Sequence, residues 1–123
     1  MEQDALEAVL SKDPRYQRES YNFVFEALNF TIKNIGEKRH ISGPELLEGI
    51  REFAIKQFGP LVKIVFNKWG VHRTDDFGEI VFNLVEAGLM GKTDNDSKSD
   101  FNSVYDFDEV FRFDKIVGTT EDS

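Results

Sequence analysis

LVKIVFNKWG-VHR-TDDFGEIVFNLVEAG, residues 61–88, decides the fold, because it reads as two helices separated by one tight turn. Pro60 stands just before it, and proline suits a first helical turn, where its missing N–H would find no partner anyway. Leu61, Val62, Val65, Phe66 and Trp69 recur at helical spacing, and Gly70 closes the helix at the usual left-handed cap. Val71-His72-Arg73 bridges to Thr74, a good N-cap residue. Asp75 and Asp76 follow it, where the helix dipole favours negative charge. Phe77, Ile80, Val81, Leu84 and Val85 form the next apolar stripe, which ends near Ala87-Gly88.

Upstream, Ser42 and Glu45 have the spacing of a capping box, flanked by Ile41 and Leu46 as a hydrophobic staple. The stripe they open (Leu46, Leu47, Ile50, Phe53, Ala54, Phe58) runs to Gly59-Pro60. Before it, Tyr21, Val24, Phe25, Leu28, Ile32 and Ile35 make one helical face, while Phe23, Ala27 and Phe30 lie partly around the cylinder. A helix apolar on more than one side is buried between neighbours, so 20–35 is expected to be the central helix, capped by Gly36. Residues 2–11 carry Leu6, Val9 and Leu10 on one side and form a short first helix that Asp13-Pro14 ends.

Downstream the pattern weakens. Leu89-Met90 looks extended, and GKTDNDSKSD (91–100) is a polar loop. In 103–114, Tyr105, Phe107, Phe111 and Phe113 suggest a strand, while Phe107, Val110 and Phe111 suit a helical turn equally well. Both readings stand at this point. The expectation is therefore a mainly α, five-helix single domain over 1–117, with a short β-hairpin or strand and a disordered tail at 118–123.

Helix, tight turn, helix, extended pair, polar loop and strand, in that order from Leu61 to Phe113, resemble a winged-helix domain. The segments YNFVFEALNFT, RHISGPELLEGI, FGPLVKIVFNKWGV and DFGEIVFNLVEAGLM together resemble a family of small bacterial proteins of unknown function. That second resemblance implies a compact domain and carries over no functional residue.

Charge argues against the function a winged helix would suggest. The net charge is −8, but residues 1–73 hold 11 Lys/Arg against 10 Asp/Glu, and residues 74–123 hold 4 against 13. The would-be recognition helix carries Asp75, Asp76, Glu79 and Glu86 and no Lys or Arg, so a phosphate backbone would be repelled. DNA is disfavoured as a partner; RNA stays possible through a basic patch of Lys38, Arg39, His40 and Arg73. Solvated helix faces and loop charges explain those four residues as well.

The chain has no cysteine, which removes disulfides and thiolate chemistry. No HExxH, P-loop, GxSxG or GxGxxG spacing occurs, and no cofactor is expected. His72 with Asp75, Asp76 and Glu79 is the one arrangement of residue types suited to a metal or to acid–base chemistry, although both aspartates already serve a helix start. No metal site or catalytic residue is therefore assigned. The start lacks signal-peptide features and no long apolar run exists, so a cytoplasmic protein without a membrane partner is expected. The leading functional expectation is a non-catalytic interaction or adaptor domain with an acidic C-terminal surface. Tyr105, Phe107, Asp108 and Phe111 would present an exposed edge to a protein partner or to a second copy. The competing reading places those aromatics in the domain's own core.

Overall fold

The computed structural model describes residues 2–112, and these are mainly helical. The helices are α1 (Glu2–Lys12), α2 (Arg18–Ile35), α3 (Gly43–Phe58), α4 (Val62–Trp69), α5 (Thr74–Glu86) and a single turn, α6 (Phe107–Val110). Short 3-10 turns occupy Gly59–Leu61 and Lys98–Phe101. The expected tail at 118–123, the domain boundary at 117 and Phe113 lie outside the described residues.

The capping box at α3 forms as its spacing requires. Glu45 N–H donates to Ser42 Oγ at 3.3 Å, and Ser42 N–H donates back to Glu45 Oε1 at 3.0 Å. Helix α2 is buried along a line between the two expected faces: Ser20, Tyr21, Phe23, Val24, Ala27 and Thr31 are the buried positions, while Phe25, Leu28 and Ile32 are half-buried. The reason is that α3 packs along α2 at close range. A Cβ on Gly49 would sit 1.7 Å from the Thr31 hydroxyl, which donates to Ala27 O at 2.7 Å. Only a residue without a side chain lets the helices meet there.

Thr74 is not the N-cap of α5; Arg73 is. Thr74 is fully buried, and its hydroxyl donates to Phe101 O at 2.7 Å while accepting from Val104 N–H at 3.1 Å. A tertiary bond has claimed the side chain that propensity assigns to capping. Asp76 takes over the end, accepting from His72 N–H at 2.8 Å and Arg73 N–H at 3.3 Å.

No strand, and hence no β-hairpin or wing, occurs among the described residues. Leu89 and Met90 bend instead of pairing, and the polar loop ends in the Lys98–Phe101 turn. Phe101 holds that turn down as a wedge: a Cβ on Gly78 of α5 would meet its Cβ at 2.8 Å, and one on Gly43 of α3 would meet its ring at 2.9 Å. For 105–111 the helical reading holds. Phe107 and Phe111 lie one turn apart and insert together into an aromatic core around Phe66, with Phe23, Trp69 and Phe77. Asp106 caps that turn by accepting from Asp108 N–H at 2.8 Å.

Candidate functional site

The carboxylates grouped with His72 are bound to the scaffold. Asp76 Oδ1 accepts from the Tyr16 hydroxyl at 2.6 Å, besides the two N–H groups it caps. Burial, reinforced by the negative charge of Asp76, pushes the Tyr16 phenol above its ordinary range. Asp75 accepts from Ser103 N–H at 2.9 Å, and Glu79 pairs with Arg15 at 3.3 Å and Lys98 at 3.2 Å. His72 is exposed, and only its backbone N–H is bonded to one of these carboxylates. Among the described residues, no three His, Asp or Glu side chains converge to hold a metal ion.

The acidic aromatic segment is likewise engaged inward. Phe111 is 1% exposed and Phe107 7%, so neither ring is offered to a partner. The Tyr105 hydroxyl donates to Leu47 O at 2.6 Å, and burial raises its pKa above the normal phenol range. Asp108 alone of the four is exposed, and Lys63 reaches it at 3.3 Å.

The four basic residues divide. Arg73 caps α5 through its backbone, and Lys38 is exposed. Arg39 forks onto Glu45 at 3.1 and 2.7 Å, and His40 Nε2 stands 2.6 Å from Asp96 Oδ2. The Arg39 guanidinium, helped by Ser42 N–H, holds the Glu45 carboxyl down to about 2 from an ordinary 4.5. A depressed folded-state pKa contributes stability that is full above pH 4.5 and is lost as pH falls toward 2. Glu45→Gln should therefore unfold at lower urea than the native chain at pH 6. That gap should close between pH 4.5 and pH 2, and a gap that persists at pH 2 would contradict the ion-pair origin.

Arg39 and His40 instead mark a cleft of about 340 Å³ between α2, α3, α5 and the 90–101 loop. Its floor is apolar: Leu28 and Ile32 of α2, Leu46 of α3, Val81 and Phe82 of α5, and Phe101. Polar groups stand at the mouth: Arg39, His40 and Ser42 on one side, Lys92, Asp96 and Asp100 on the other. The volume lies within the range of small-molecule sites, which pair an apolar lining with a few placed polar groups. A second depression, about 460 Å³ between α1 and α5, is walled by groups already paired with each other. These are Asp13 with Arg15 and Lys12 with Glu86. The cleft escapes sequence reasoning because its walls come from four separated stretches. Leu28 and Ile32 read in the sequence only as core positions at helical spacing, and the structure leaves both half-buried.

Comparison with protein-family models, curated proteins and solved structures finds no match to the chain. Among the described residues no helix is long and apolar enough to cross a membrane.

Proposed function

We propose that the chain is a non-catalytic binding domain whose site is the cleft between α2, α3 and α5. One observation carries this reading: an apolar floor left partly open beneath a polar mouth. Leu28, Ile32, Phe82 and Met90 are half-buried there, so a ligand of suitable shape would remove further apolar surface from water. Support comes also from Asp75, Asp76 and Glu79, whose bonds to backbone and cations suit a scaffold role better than proton transfer.

The test is titration with N-phenyl-1-naphthylamine, an uncharged probe that fluoresces in apolar surroundings. Saturable one-to-one binding is expected, and Ile32→Trp, which fills the cleft, should abolish it while cooperative thermal unfolding persists. Ile64→Ser removes an apolar side chain that is 67% exposed on α4, and it should leave the signal unchanged. Undiminished affinity in Ile32→Trp would move the site elsewhere.

A protein partner with a basic face is the second reading, favoured by the exposed carboxylates Asp94, Asp106 and Glu109 in the strongly acidic C-terminal half. With Phe107 and Phe111 in the core, such contact would be electrostatic and steeply weakened by salt. The α4–turn–α5 unit supports kinship with helix-turn-helix proteins as a matter of architecture, and function does not follow from architecture.

A further inference from the structure

On the reading that the cleft is a ligand site, we infer that its ligand is a zwitterion with an apolar body, the chemistry of an α-amino acid carrying an aromatic or large aliphatic side chain. Besides His40, four side chains that carry charge line the cleft: Arg39, Lys92, Asp96 and Asp100. Two of them are already matched. Arg39 forks onto Glu45 at 3.1 and 2.7 Å, and Asp96 Oδ2 stands 2.6 Å from His40 Nε2. The other two are not. Lys92 Nζ donates to the backbone carbonyl of Thr93 at 3.1 Å, and Asp100 accepts from the backbone N–H of Ser97 at 3.0 Å. Among the described residues neither meets an opposite charge, and although both line one cleft they do not pair with each other.

Both charges adjoin the apolar floor. Lys92 follows Met90 and Gly91, and Asp100 precedes Phe101, all of which line the cleft. The bond to Thr93 O takes one of the three N–H donors of the Lys92 ammonium and leaves two for a carboxylate. The Ser97 bond falls on Asp100 Oδ2, and this half-buried carboxylate keeps acceptor capacity for an ammonium. An apolar body seated on Leu28, Ile32 and Phe82 would draw water away from both charges. A ligand with a single charge would match one of them and leave the other unpaired against an apolar surface. A zwitterion matches both, its carboxylate to Lys92 and its ammonium to Asp100, and no existing ion pair has to break. A cleft of about 340 Å³ is of a size to take the body of such an amino acid.

Displacement of the neutral probe by three ligands sharing one ring tests this: 2-naphthylalanine, 3-(2-naphthyl)propanoate, which lacks the ammonium, and 2-(2-naphthyl)ethylammonium, which lacks the carboxylate. The amino acid should bind at least about fivefold more tightly than either ion. Lys92→Gln, a change at an exposed side chain, should weaken the amino acid and the propanoate and spare the ethylammonium. Asp100→Asn, whose amide oxygen can still accept from Ser97 N–H, should weaken the amino acid and the ethylammonium and spare the propanoate. If either ion equals the amino acid in the native chain, or if either variant weakens all three ligands alike, the zwitterion inference fails while the cleft remains a site. If Ile32→Trp fails to weaken the probe, the cleft itself is not the site and this inference falls with it.

Discussion

Gly70→Ala should destabilise the protein by roughly 2–5 kcal/mol, from a left-handed backbone penalty of about 1–2 combined with an overpacking strain of about 1–3. Gly70 ends α4 at φ 91°, a conformation that costs any residue carrying a Cβ. A Cβ there would lie 2.2 Å from Arg15 O, and that atom belongs to backbone, which cannot rotate aside as a side chain can. The connection between α1 and α2 would have to retreat, and with it the bond from Gln17 N–H to Trp69 O at 3.1 Å. Gly36→Ala separates the two contributions. Gly36 caps α2 at φ 86° with nothing within 4 Å of its would-be Cβ, so only the backbone penalty of about 1–2 kcal/mol should appear. Urea denaturation of both variants reads the difference; equal losses would show that the α1–α2 connection yields without cost.

Gly70, Gly36 and the Ser42–Glu45 box were all legible in the sequence, because each acts within one turn of its own helix. Legibility failed where a side chain answers to a distant partner. Thr74 has the chemistry of an N-cap, but Phe101, 27 positions later, claims its hydroxyl. Phe107 and Phe111 fit a strand and a helix equally well by pattern, and the choice was made by aromatic rings on α4 and α5. The acids of the C-terminal half could be counted but their roles could not be read. Asp75, Asp76 and Asp100 serve backbone N–H groups, and Asp96 serves both a backbone N–H and His40, so these carboxylates hold the fold as acceptors, a role that a charge count does not reveal. The cleft follows the same rule. His40 and Asp96 are 56 positions apart, and no local signal joins them.

Phe66→Ala should cost roughly 3–5 kcal/mol, the range for truncating a fully buried aromatic ring where the surroundings cannot collapse. Collapse is hindered here because five rings meet this one: Phe23, Trp69, Phe77, Phe107 and Phe111, at centroid distances of 5.3 to 5.7 Å. Phe77, Trp69 and Phe23 are fixed on longer helices, whereas Phe107 and Phe111 belong to a single turn held mainly by burying those two side chains. The loss should therefore be uneven. Amide exchange at Val110 and Phe111, whose N–H groups bond to Asp106 O and Phe107 O, should accelerate well before that of α2 or α3. Phe66→Leu keeps most of the volume and should recover most of the stability. Phe66 takes no part in lining the cleft, so the variant, measured where it is still folded, should bind the neutral probe with native affinity. Loss of binding together with intact α2 and α3 exchange would mean that the 105–111 segment, and not the apolar floor, carries the site.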